Sequence, residues 1–313
     1  MLSDILKYIN WKNSLFQFFL FLSFFGIISF FDLVIPTKNI IERNDYILKM
    51  LVTFITSASI YYLTRYGFGI IQSNPLNYLI STCIVFLLIH PTNSVWYFVF
   101  AVIAIAIGKF VVKKNKMPVL NPAAFALFLT YLLSWVVQLT VAGADTLLIS
   151  WWGADMFQNI TSRIPVLNIL VPLFFLFGFA YFANAFKKIP YAISFFVSYI
   201  ILLFVFTQTQ STVSQATDLA YTMLFNATAF CALVMLPEPK TSPVFMKQQI
   251  IVGIVAGITL FVFNTWLGWM PVDTLVNTVL IANIVTLIIK SMPRKIAAPV
   301  VQPESPALQV PNM

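Results

Sequence analysis

Apolar residues dominate the chain in runs of about twenty, separated by short polar or proline-bearing breaks. Residues 15–35 (LFQFFLFLSFFGIISFFDLVI) set the pattern, with no helical or alternating polar stripe strong enough to mark a half-wet face. A run of this length matches the ~30 Å of hydrocarbon that a helix must cross. Ten such runs predict helices near 15–35, 47–64, 75–90, 95–112, 122–139, 165–186, 190–207, 217–236, 248–267 and 273–291. Breakers fall between them at Pro36, Asn74-Pro75, Pro91, Asn121-Pro122, Pro165, Pro190, Pro237-Glu238-Pro239 and Pro271. The expected class is an all-α polytopic membrane protein. Its organisation reads as an N-terminus over 1–14, a five-helix unit over 15–139, and a loop over 140–164. A second five-helix unit over 165–291 and a disordered tail over 292–313 follow.

Composition sharpens this picture. Hydrophobic residues make up 60% of the 313, only 9% are charged, and mean hydropathy is +0.91. A water-soluble domain of that size needs more polar surface. The first apolar run is too long for a signal peptide and lacks a small-residue cleavage site. The net charge of +8 would suggest nucleic acid if it were clustered on a soluble face, but its distribution reports topology instead. With ten spans, fourteen of the 18 basic residues share one side: Lys7, Lys12, Arg65, Lys109, Lys113, Lys114, Lys116, Lys187, Lys188, Lys240, Lys247, Lys290, Arg294 and Lys295. Lys38, Arg43, Lys49 and Arg163 fall on the other. Basic residues collect in cytoplasmic loops, so both termini are expected in the cytoplasm and the protein in the inner, cytoplasmic membrane. The segment SWWGAD (150–155) is then extracytoplasmic.

Five plus five helices make an odd-numbered unit repeated in tandem, which must be inverted in the membrane. CIVFLLIHPTNS (83–94) and CALVMLPEPKTS (231–242) align under a shift of 148, pairing Cys83 with Cys231, Pro91 with Pro239 and Ser94 with Ser242. Each half would contribute a helix ending in a proline-broken polar segment, which membranes tolerate only against protein or a wet or ligand-lined cavity.

Two motifs carry a family resemblance. LNPAAFAL (120–127) follows a lysine-rich loop and opens the fifth helix, and LPEPKTSPVFMKQQIIVG (236–253) follows the eighth. Together they resemble the NqrB/RnfD family, which supplies integral membrane subunits to the Rnf electron-transport complex and to the sodium-pumping NADH:quinone oxidoreductase. Glu238, Pro239, Thr241, Ser242 and Pro243 fit the second motif. The resemblance implies two inverted five-helix repeats in a urea-transporter-like fold, electron transport, and partner redox subunits. It also implies a flavin mononucleotide (FMN) esterified to a threonine in an extracytoplasmic Ser-Gly-Ala-Thr motif. The counterpart here is Trp152-Gly153-Ala154-Asp155, in which Asp155 stands where the acceptor threonine would be. An acyl phosphate on aspartate hydrolyses, and its charge repels a flavin phosphate where the dielectric is low. Covalent FMN is therefore not expected at 155; a non-covalent flavin (FMN or riboflavin) or a quinone is, with a flavin-bearing extracytoplasmic protein as a candidate partner.

Each candidate has a plain alternative. Trp151 and Trp152 can stack on a flat ring or simply anchor the interface. Gly153 and Asp155 belong to the same loop, where the acid serves as a cation site, a loop anchor or a solvated charge. Asn121, Pro122, Ala123 and Ala124 make either a structural helix start or a half-helix terminus facing an anionic group. Lys240, Thr241 and Ser242 divide the same way, with Lys240 a partner for a cofactor anion. Asp218 near the outer start of the eighth helix is a transport candidate or a solvated end residue. The single histidine, His90, excludes bis-histidine haem. Cys83 and Cys231 cannot complete a four-ligand cluster and read as small hydrophobes. No metal site and no catalytic residue is expected. The functional choice lies between a redox subunit, with cation coupling as an added role, and a small-solute channel or transporter of the same architecture.

Overall fold

The computed structural model describes residues 10–34, 40–68, 75–114, 117–141, 146–151, 167–209, 227–267 and 272–292. The described residues form α1 (Ser14–Val34), α2 (Ile40–Tyr62), α3 (Leu76–Leu88), α4 (Val95–Phe110), α5 (Pro122–Thr140), α6 (Leu167–Ala185), α7 (Ile189–Thr209), α8 (Ala227–Phe230), α9 (Met246–Thr265) and α10 (Thr274–Ser291). A two-stranded antiparallel hairpin, β1 (Lys113–Lys114) with β2 (Met117–Pro118), links α4 to α5. Six stretches of the described residues are long and apolar enough to span a membrane: Ser14–Phe31, Asn44–Gly67, Pro122–Thr140, Ile189–Phe206, Met246–Thr265 and Thr274–Ser291. Shorter apolar helices occupy Leu76–Leu88, Val95–Phe110 and Leu170–Ala185. The eighth expected helix, 217–236, lies partly outside the described residues.

Helices are what hydrocarbon demands, because every buried backbone N–H and C=O must find its partner within the segment. Pro172 inside α6 removes one donor, which neighbouring helices in a bundle can accommodate. Two helices end in π-turns that periodicity alone did not anticipate, Leu63–Gly67 after α2 and Cys231–Met235 after α8. Such turns widen the ladder by one residue and re-aim the chain that follows.

The most enclosed elements are α3 and the α8 π-turn, with Leu87, Leu88, Ile89, Ala232, Met235 and Leu236 fully buried. Around them α1, α6 and α8 interlock through phenylalanine. Phe25 meets Phe175 at 4.4 Å between centroids, and Phe21 meets Phe179 at 5.3 Å. These edge-to-face pairs add modestly to their buried area. The outward faces are apolar: Phe174, Phe177 and Tyr181 on α6, and Ile193, Val197, Ile201 and Phe204 on α7, are all exposed. Stripes of that size do not face water in soluble proteins. Cys83 and Cys231 are buried and unpaired by any disulfide.

Helices α7 and α9 approach most closely. Gly253 and Gly257 of α9 face Ser194 and Ser198 of α7, and a Cβ built on Gly257 would lie 2.7 Å from the Phe195 carbonyl oxygen. Small residues four apart let two backbones touch, which substitutes for the hydrophobic effect that lipid does not supply.

Candidate functional site

Two polar regions form at opposite ends of α5 and α10. The first surrounds the start of α5. Asn121 caps the helix, its Oδ1 accepting from the backbone N–H of Ala123 at 2.9 Å and of Ala124 at 3.1 Å. Its Nδ2 donates to the Met235 carbonyl at 2.8 Å, and its own N–H donates to Asn283 Oδ1 at 2.5 Å. One residue thereby ties α5, the α8 π-turn and α10 together. Pro122 takes the first helical position, where its missing N–H leaves nothing unpaired. The N–H groups of Ala123 and Ala124, the exposed donors of an uncapped terminus, are taken here by Asn121.

The loop after the π-turn folds on Glu238. Thr241 donates its hydroxyl to Glu238 Oε2 at 2.9 Å, and Ser242 donates to the Glu238 carbonyl at 2.6 Å. Burial lifts the Glu238 carboxyl above its usual range, while the Lys109 charge, the Thr241 hydroxyl and Lys240 pull it back. Lys109 donates to the Asn77 carbonyl and Lys188 to the Pro243 carbonyl. Thr241 and Ser242 are buried. Beside Asn121 and Glu238 lies a cavity of about 40 Å³, walled by Phe18, Ile80, Leu233 and Pro237. That is room for about one water, and a tricyclic flavin ring does not fit it. A larger cleft of about 290 Å³ opens between Lys240, Thr241, Asn283, Lys290 and Lys114.

The second region is at the far end, where residues 147–151 pair with the end of α3. Ile149 bridges Ile89, His90 N–H donates to the Leu148 carbonyl at 3.0 Å, and Asn93 bonds both backbone groups of Leu148. Lys49 holds the turn by donating to the Pro91 carbonyl at 2.8 Å, with Asp45 as its ion-pair partner. His90 accepts from the Thr92 N–H at 3.2 Å, satisfying the turn locally. Trp151 adopts φ 54°, a left-handed conformation unfavourable for a bulky residue. Its ring is 3% exposed and lies edge-on to Phe230 at 6.0 Å. Its Nε1 donates to Asp273 Oδ2 at 3.1 Å. Asp273 caps α10 through Oδ1, which accepts from the Leu275 and Val276 N–H groups. Burial raises the Asp273 carboxyl above its normal range against the pull of those three donors. Trp151 thus packs within the protein, fixing the loop to α10.

Trp152, Gly153, Asp155 and Asp218 lie outside the described residues, as does most of the 140–164 loop. Among the described residues no cluster of three metal-ligating side chains forms. Sequence reasoning missed Asp273 and Asn283. The available signal was a polar residue opening or interrupting an apolar helix, Asn283 being such a residue inside α10.

Packed helices with apolar outer faces, polar ends and internal caps define a multi-pass, all-α membrane protein. Its sequence matches the model of the NQR2, RnfD, RnfE family over residues 20–297, and the chain belongs to that family. Membership makes it a membrane subunit of the Rnf/Nqr type. Among curated proteins none matches the sequence.

Proposed function

We propose that this chain is the integral membrane subunit of an electron-transporting oxidoreductase complex of the Rnf/Nqr type, working with a non-covalently held flavin or quinone. The family match across residues 20–297 carries the reading. The flavin, when bound, supplies one- and two-electron chemistry, and the protein supplies position and electrostatics. Because the cavity beside Asn121 takes no isoalloxazine, we place the cofactor at contacts with partner redox subunits and route no step through Asn121 or Glu238.

The architecture proposed with it is ten spans in two inverted halves, with both termini cytoplasmic in the inner membrane. Packing order supports this. In the first half α3 packs on α1, α4 on α2 and α5 on α4; in the second, the α8 π-turn packs on α6, α9 on α7 and α10 on α9. The capped starts of α5 and α10 also correspond, Asn121 reaching the Met235 carbonyl and Asp273 reaching Trp151, whose N–H meets the Leu88 carbonyl. Inversion places these two caps at opposite ends. The lysines support the orientation: Lys114, Lys240 and Lys290 line one cleft, and Lys188 lies close enough to Lys290 to feel its charge. The domain limits 15–139 and 165–291 follow the same division.

The absorbance of protein purified in mild detergent tests the cofactor. Flavin bands near ~450 nm that bleach with dithionite, with no flavin mass on the peptide carrying Asp155, are the expected result. A colourless protein that moves a small solute into liposomes would instead favour the transport reading.

A further inference from the structure

The cleft of about 290 Å³ at the lysine-rich end has a chemical character of its own. Three lysines line it from separate places: Lys114 on β1, Lys240 in the loop after the π-turn, and Lys290 in the last turn of α10. Among the residues lining it, none is acidic. Lys114 donates to Ser291 Oγ at 3.2 Å, a neutral partner, and no ion pair to it forms among the described residues. Glu238, which is not among the lining residues, attracts Lys240 and accepts from the Thr241 hydroxyl. A cleft lined by three lysines and no acid favours an anion over a cation.

A second observation comes from the cleft floor. Asn283 is 1% exposed, and its Oδ1 is committed to the Asn121 N–H, which fixes the orientation of the amide. Its Nδ2 has no hydrogen-bond partner. A buried amide donor left unsatisfied carries its desolvation cost without recompense, so a position this rigid calls for an acceptor. With polar and apolar walls in similar measure and three lysines among the lining residues, the cleft takes a tetrahedral anion with a small substituent.

From this geometry we infer that the cleft is a binding site for a phosphate group, held by Lys114, Lys240 and Lys290 and accepting a hydrogen bond from Asn283 Nδ2. The phosphate belongs either to an anionic phospholipid headgroup, of the kind that basic pockets between membrane helices take, or to a soluble phosphate compound. The site is independent of the redox reading, since it requires no electron carrier.

The test uses full-length protein in detergent, with titrations of phosphatidylglycerol followed by native mass spectrometry and of inorganic phosphate followed by thermal stability. The Lys114→Gln, Lys240→Gln, Lys290→Gln triple variant is compared with a control carrying Lys12→Gln, Lys113→Gln and Lys247→Gln, which removes equal charge from positions outside the cleft. The expected result is that the cleft variant loses about tenfold or more in affinity while the control changes by less than about twofold. Response to lipid alone assigns the headgroup; response to both assigns any accessible phosphate. Equal losses in the two variants, or no binding of either ligand by the wild type, would overturn the site. Should the triple variant fail to fold, the single Lys240→Gln variant must still weaken binding more than Lys247→Gln. The purified protein's flavin spectrum is read in parallel, so loss of phosphate binding is distinguishable from loss of the cofactor.

Discussion

Replacing both Gly253 and Gly257 with alanine is expected to destabilise the protein by up to about 4 kcal/mol, the overpacking cost of about 1–3 kcal/mol at each site less the ~1 kcal/mol of helix propensity gained there. Propensity alone predicts the opposite sign, since alanine favours a helix over glycine by about 1 kcal/mol at each position. Geometry decides the matter. A Cβ on Gly253 would sit 1.9 Å from Ser194 Oγ and 2.6 Å from the Tyr191 carbonyl oxygen, and one on Gly257 would sit 2.0 Å from Ser198 Oγ. The serine hydroxyls can rotate or be removed, but the carbonyls belong to the α7 backbone. Helices α7 and α9 must therefore separate, opening the most intimate pair in the bundle. Thermal unfolding in detergent measures the loss. Adding Ser194→Ala and Ser198→Ala is expected to recover only part of it, because the backbone contacts remain. Stabilisation by the glycine-to-alanine pair would mean that the two helices do not touch there.

The second large effect is expected at Asn121. Asn121→Ala removes two cap hydrogen bonds, worth about 1 kcal/mol, and leaves the buried Met235 carbonyl without its donor, at about 1–3 kcal/mol. A loss on the order of 3 kcal/mol follows from the cap and the orphaned carbonyl together. Asn121→Ser separates them: the shorter hydroxyl still caps the Ala123 and Ala124 N–H groups but does not reach the Met235 carbonyl. It is expected to retain the start of α5 while losing the link to the π-turn, with a midpoint between wild type and alanine. Equal stability of all three proteins would show that the junction of α5, α8 and α10 is not held by this side chain.

Much of the fold was legible because hydrocarbon leaves few options. The runs predicted at 122–139, 190–207 and 273–291 correspond to helices Pro122–Thr140, Ile189–Thr209 and Thr274–Ser291. Both family motifs fall at one polar end, where Asn121 reaches Met235 just before the Pro237–Pro239 break. What escaped is what needs three dimensions. Nothing in the local pattern shows that Ser194 and Ser198 will meet Gly253 and Gly257, which lie on a helix nearly sixty residues away. The tryptophans at 151 and 152 read as a flat platform or an interface anchor, yet Trp151 turns inward at φ 54° to reach Asp273. Asn283 was missed because its partner at 121 is supplied by the other half of the chain.

The orientation proposed above puts the lysine-rich motif end inward and the 147–151 end outward. Single cysteines at Leu148, which is 53% exposed, and at the exposed Lys113 on the hairpin report on each end, with native Cys83 and Cys231 buried out of reach. Treating intact cells with a membrane-impermeant maleimide should modify Leu148→Cys directly and Lys113→Cys only after the membrane is opened. Modification of both from outside, or the reverse order, would contradict the account.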